Sequence, residues 1–194
     1  MRMTREASEQ SMEARLGTAG HRIDEIVARV RQARASGKIC VGGRVDALRA
    51  HEANTRTRLR ELREADQAAW QASVVELHLE LDALEVEMAI TQARLDAELA
   101  ADDAAFAAAV DAELEAWNSK IDALQAQAAT TKHHARAQRE GAIRQVRGRR
   151  ATAKGKLQAF RKGALKAAPA ERARVSQAMD DLDRAAEEAA ANFD

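Results

Sequence analysis

The chain has one proline, one cysteine and no tyrosine, and its other aromatics are three Phe and two Trp in 194 residues. Each shortage excludes something. A lone cysteine, Cys40, permits no internal disulfide and gives no reason to expect an oxidising compartment. One Pro and nine Gly are too few breakers for a fold built from many short strands and turns. The scarcity of large side chains argues against a wide globular core. Narrow seams between helices need less apolar volume, because each well-buried Leu or Ile still contributes about 1.5–3 kcal/mol. The N-terminal stretch MRMTREASEQ has no apolar signal-peptide core, and no run approaches transmembrane length, so a cytoplasmic location is expected.

What is present favours helix. Ala, Arg, Glu, Leu and Asp dominate, and charged residues make up 32% of the chain. That bias belongs to coiled coils and long helices. The expected fold class is all-α: an elongated antiparallel coiled-coil or helical bundle. The stretch Leu114 to Phe160 has no Pro and predicts one long helix around which the rest is arranged.

The formal net charge is zero, but the charges are polarised. From Glu76 to Glu115 there are twelve acids against the single base Arg94, and from Lys132 to Lys166 twelve bases against the single acid Glu140. Such blocks point to complementary helix flanks or to an anionic partner.

Sliding the sequence against itself by 98 residues lays 1–96 on 99–194 without a gap. Thirteen of the fifteen Leu, Ile, Val, Met or Phe residues in the second copy then meet such a residue in the first. Shifts of 91 and 105 keep the same heptad phase and give only five and six matches, so coiled-coil periodicity alone does not produce the agreement. A tandem duplication is expected, with helical-hairpin repeats over 1–98 and 99–194 packed as one elongated unit. In each copy a long basic helix would be followed by a shorter acidic one.

Local signals place the boundaries. Thr4 is a candidate N-cap for a first helix, which should stop near Ala35, before Ser36-Gly37. Pattern resumes at Arg44, and repeat symmetry puts a bend near 64–70. Asp102 or Asp103 can cap a new helix, with a turn around 100–103. Gly163 and Pro169 end one helix and begin the next, the usual asymmetry. The predicted seam consists of Leu16, Ile23 and Ile26 in the first copy and Leu114, Trp117, Ile121 and Leu124 in the second. The long first-copy stripe Leu16–Val30 is expected to pack against helices of the second copy.

Candidate sites for chemistry are few. His21, His51, His78, His133 and His134 include no pair at i, i+4, and no HExxH or Cys/His cluster exists, so no metal or cofactor is expected. They read as solvated helix-surface residues. No nucleophile with its base is identifiable, hence no enzyme activity and no small-molecule substrate are expected. Gly141, Gly148 and Gly155 recur at heptad spacing, which favours a face for close helix packing, at about 1 kcal/mol lost per Gly relative to Ala, over a flexible hinge region. Trp70 and Trp117 read as packing anchors.

The run LEAWNSKIDALQAQA (Leu114–Ala128) is followed by a basic helix ending KLQAFRKG and a short helix ending DLDRAAEEAAANF. This arrangement resembles a group of small bacterial coiled-coil proteins, described as coiled-coil or stress-response proteins, with a W-N-x-x-I-D-x-L element in the first helix. The resemblance covers the second copy and, more faintly, the first, where Ala19 and Gly20 replace Trp117 and Asn118 while Ile23-Asp24 persists. It implies a non-enzymatic helical protein and supplies no catalytic residues to transfer.

Two functional expectations follow. The first is a non-catalytic helical scaffold that self-associates as a homo-oligomer or pairs with another helical protein through the seam. The alternative is salt-sensitive binding of nucleic acid or an anionic membrane through the basic region 132–166. Its contact residues would be Lys132, Arg136, Arg139, Arg144, Arg147, Arg149, Arg150, Lys154 and Lys156.

Overall fold

The computed structural model describes residues 4–35, 42–129, 133–163 and 169–191; the side chains of 42 and 133–136 are not described. Six helices account for nearly all of these residues, and there is no strand among them: α1 (Arg5–Ala35), α2 (Gly42–Glu64), α3 (Gln67–Leu99), α4 (Asp103–Ala129), α5 (His133–Gly163) and α6 (Pro169–Ala190). The chain divides into two compact units, Met1–Leu99 and Ala100–Asp194, each with three helices rather than a two-helix hairpin.

The helix starts are chemically specified. The Thr4 hydroxyl accepts from the Ala7 amide at 3.3 Å. The Asp66 carboxylate accepts from Ala69 at 2.9 Å and the Asp102 carboxylate from Ala105 at 2.8 Å. Each side chain satisfies an amide that the first helical turn leaves without a partner. Pro169 opens α6, where its missing N–H costs nothing. The end of α2 is closed from outside: Arg5 donates to the carbonyls of Leu62, Arg63 and Ala65, and its guanidinium lies over the Trp70 ring. A cation at a helix C-terminus is favoured by the free carbonyls there.

In the first unit the three helices pack against one another pairwise. Leu16, Ile23, Ile26 and Val30 of α1 join Val45, Leu48, Leu59 and Leu62 of α2 and Leu77, Leu81, Leu84, Met88 and Leu95 of α3 in one buried cluster. The stripe Leu16–Val30, expected to pack against residues 99–194, has cover from α2 and α3 of its own unit. The reason is length. With no Gly or Pro between Gln67 and Leu99, α3 runs for 33 residues, as long as α1 rather than shorter, and reaches along the whole stripe.

In the second unit α5 packs against both α4 and α6. Its buried stripe is Ala142, Ile143, Val146, Ala153, Leu157 and Phe160, at the 3–4 spacing of one helix face. Phe160 meets Phe106 of α4 edge-on, with ring centroids 5.4 Å apart, a preferred aromatic geometry. The single helix expected over Leu114–Phe160 does not form: α4 ends at Ala129, α5 begins at His133, and the two lie side by side. A β-branched pair, Thr130-Thr131, stands at this point in the sequence and lowers helix propensity. Folding back also lets α5 cover the seam residues Leu114, Trp117, Ile121 and Leu124, all buried. One straight helix would have left that face open.

Candidate functional site

The basic region has its geometry set by α5. Ten bases and one acid fall between His133 and Gly163, and the helix sorts them by direction. Arg150 lies on the same stripe as Val146, Ala153 and Leu157 and turns inward. It donates to the Leu114 carbonyl at 3.0 Å and approaches the Glu115 carboxylate at 3.8 Å. Arg161 turns toward α4 as well, pairing with Asp111 and donating to the Ala107 carbonyl. These two cations are tied to α4. Arg139 is half-buried and has interactions of its own.

Arg144, Arg147, Arg149, Lys154 and Lys156 are exposed, and no ion pair or hydrogen bond joins them to another described residue. Lys162, outside the expected set, is exposed in the same way. It stands eighteen residues from Arg144, five full turns at 3.6 residues per turn; that spacing was the signal that could have included it. Lys132 lies outside the described residues, as does the Arg136 side chain. Cys40 is likewise outside them.

The free cations occupy both flanks of α5. Arg144 and Arg147 line a shallow cleft of about 520 Å³ with Gln125, Ala126 and Ala129 of α4; Lys154 follows Arg147 by a heptad on the same flank. Arg149 lines a groove of about 530 Å³ on the α6 side, beside Asp181 and Glu188; Lys156 follows it by a heptad. Gly148, Ala151, Thr152, Gly155 and Ala159 of α5 are all exposed; Gly148 and Thr152 line the α6-side groove with Arg149, and Lys162 follows Gly155 by a heptad. A methyl group added at Gly148 or Gly155 would meet nothing within 4 Å. Within the glycine stripe expected to pack against another helix, Gly148 lines the α6-side groove, and no neighbouring atom comes close to Gly148 or Gly155.

The first unit spends its charges differently. Arg58 of α2 pairs with Glu76 and Glu80 of α3, and Arg63 with Glu9 and Glu13 of α1. Arg15 of α1 bonds both Asp82 and Glu85 of α3, and Arg29 reaches Asp96. The Glu85 and Asp82 carboxylates raise the Arg15 pKa above its ordinary value, against a smaller lowering from burial. Two histidines read as solvated are half-buried and bridge helices: His51 Nδ1 lies 2.9 Å from Glu87, and His78 Nε2 lies 3.3 Å from the Ser8 hydroxyl.

The seam residues Leu16, Ile23, Ile26, Leu114, Trp117, Ile121 and Leu124 are all buried. Lys120 lies over the Trp117 ring. Among the described residues only Val75 and Leu79 are large exposed hydrophobics. Also among the described residues, no group of three or more His, Cys, Asp or Glu is placed to hold a metal ion, and no helix is long and apolar enough to cross a membrane. No protein-family model, curated protein sequence or solved structure matches the chain.

Proposed function

We propose that this is a non-catalytic helical interaction protein that binds an anionic partner, nucleic acid or an anionic membrane surface, through α5. The observation that supports this reading is the set of exposed, unneutralised cations Arg144, Arg147, Arg149, Lys154, Lys156 and Lys162 on one helix. Clustered like charges repel one another, and a folded chain that needed them only for solubility would intersperse acids. Binding to duplex DNA, single-stranded DNA and phosphatidylserine vesicles at about 50 mM salt tests it, because such contacts are strongest at low salt. Binding to at least one, lost steeply as salt rises, supports the reading; no binding to any of them overturns it.

A second reading, self-association or pairing with another helical protein, has one supporting observation. Val75 and Leu79 are 62% and 41% exposed and lie at i, i+4 on α3, so they share a face. The seam residues do not serve this reading, because their own unit covers them. Solution mass by light scattering tests it: a dimer that dissociates on Leu79→Glu supports it, and a monomer at all concentrations rules out self-association.

A further inference from the structure

Resting on the second reading, pairing through α3, we propose that the exposed stripe of α3 takes a basic amphipathic helix of another protein, one whose apolar face is flanked by Lys or Arg. α3 is apolar on two faces. One is buried in the core of its unit as Leu77, Leu81, Leu84, Met88 and Leu95. The other is Ala68, Ala72, Val75, Leu79, Ala83 and Val86, again at 3–4 spacing. Its first four residues are exposed and its last two half-buried, and it closes where Ile90 is buried. A surface helix folds with one apolar stripe toward its core; a second, open and rimmed by charge, marks a place for a partner.

Shape sets the kind of partner. From Ala68 to Val86 the stripe runs for about 27 Å at 1.5 Å per residue. Val75 and Leu79 are its two large exposed side chains, one turn apart, with alanines on either side. Small neighbours let another helix come close enough to seat those two anchors.

Charge sets the sign of that helix. Every Asp, Glu, Lys or Arg of α3 from Gln67 to Met88 is an acid: Glu76, Glu80, Asp82, Glu85 and Glu87. Glu76 and Asp82 stand three residues before and after Leu79, so about 60° to either side of it at 3.6 residues per turn. Their side chains are 67% and 60% exposed. Arg58 on the α2 side and Arg15 on the α1 side each bond two of these acids. His51 reaches Glu87, and Arg22 lines the α1-side cleft beside Glu85. The carboxylates outnumber the guanidiniums, so the rim is acidic. Such a rim repels nucleic acid and anionic lipid and favours a cationic partner. A second copy of this chain fits less well. Among the described residues its large exposed hydrophobics are the same Val75 and Leu79. Pairing stripe with stripe brings acid against acid, and like charges across an interface are costly.

Three designed peptides of roughly 21 residues, about six turns, test this by fluorescence anisotropy at low salt. One has a Leu stripe flanked by Lys, one the same stripe flanked by Gln, and one scrambles the Lys peptide so that no stripe forms. The Lys-flanked peptide should bind at least tenfold more tightly than either of the others. Val75→Ala/Leu79→Ala truncates both anchors while raising helix propensity; it should weaken that binding at least tenfold with unchanged circular dichroism. Glu76→Gln/Asp82→Asn keeps the stripe and should bring the Lys-flanked and Gln-flanked peptides within about threefold of each other.

Equal binding of the Lys-flanked and Gln-flanked peptides to the unaltered protein overturns the basic partner while leaving the helix-pairing reading standing. So does a dimer by light scattering that dissociates on Leu79→Glu, because the occupant is then a second copy. Undiminished binding by the Ala variant, or equally tight binding of the scrambled peptide, removes the stripe as the site. No binding of any peptide, with a monomer at all concentrations, sinks the second reading as well.

Discussion

The helices α2 and α5 occupy corresponding places when the sequence is shifted by 98 residues, and each packs against both neighbours in its unit. They use charge in opposite ways. α2 carries six bases and four acids; Arg49, Arg56, Arg58 and Arg63 sit in ion pairs and Arg60 does not. α5 carries ten bases and one acid, of which Arg150 and Arg161 are tied to α4 while six others face solvent unneutralised. The difference lies in the neighbours. α3 points Glu76, Glu80 and Glu87 at α2 in direct pairs, whereas in α6 Glu171 and Asp181 bond Arg174 and Arg184 of their own helix, and Asp181 and Glu188 line the groove beside Arg149. Surface ion pairs add only about 0–1 kcal/mol each, so neither arrangement is needed for folding. The comparison separates cations that orient helices from cations left for something else.

The largest expected effect tests whether the two units are separate at all. Ile23→Asp and Ile121→Asp each bury a charge with no partner, and each should cost on the order of 4 kcal/mol, a large part of a domain's stability. Amide exchange should then accelerate across 5–99 in the first variant and across 103–190 in the second. Acceleration across both regions from either change would mean the units fold as one.

Glycine gives the next effect. Gly148→Ala and Gly155→Ala enter open space and should each stabilise by about 0.5–1 kcal/mol, because Gly weakens a helix interior by that amount. Gly20→Ala on α1 should gain less, since its new methyl would come 2.9 Å from the Glu52 carboxylate and displace it. Equal gains in thermal melts at all three positions would remove this contrast.

Charge itself should matter less. Arg58→Gln removes contacts to Glu76 and Glu80 and is expected to cost up to about 1 kcal/mol in urea titrations at low salt, shrinking as salt screens the pairs. Arg147→Gln should change stability by less than about 0.5 kcal/mol. A larger loss at Arg147 than at Arg58 would erase the distinction between the two helices.

The smallest effect is a proton. The Arg63 guanidinium, by hydrogen bond and then by charge, holds the Glu13 carboxyl below its ordinary value, and Glu13 in turn raises Arg63. A carboxyl depressed on folding contributes above its unfolded pKa and loses that contribution as pH falls through the folded value. The pair should therefore weaken only in acid, below about pH 4.5. In an NMR titration Arg63→Ala should move the Glu13 midpoint up; an unmoved midpoint would show that the pair does not persist in solution.

Much of the helical framework was legible in the residues. Thr4, Asp102 and Pro169 start helices where their chemistry requires, because capping and proline act on the nearest turn. The seam was legible too, since a 3–4 spacing fixes a helix face before any partner is known. Even Arg150 announced its direction by standing four residues after Val146 and seven before Leu157. The alternation of acidic and basic stretches was plain, but not which cation each acid would neutralise.

Sequence by itself determined that the chain is helical, where most helices begin and end, and which side chains turn inward, since these are short-range effects of propensity, capping and period. Only the tertiary structure decided that α5 folds back along α4 rather than extending it, and that α3 covers the α1 stripe. It also decided that a methyl group at Gly148 or Gly155 would meet open space and that Arg161 pairs with Asp111 while Lys162 faces solvent. Those outcomes depend on which surfaces meet across tens of residues of chain, and no local period encodes such a meeting.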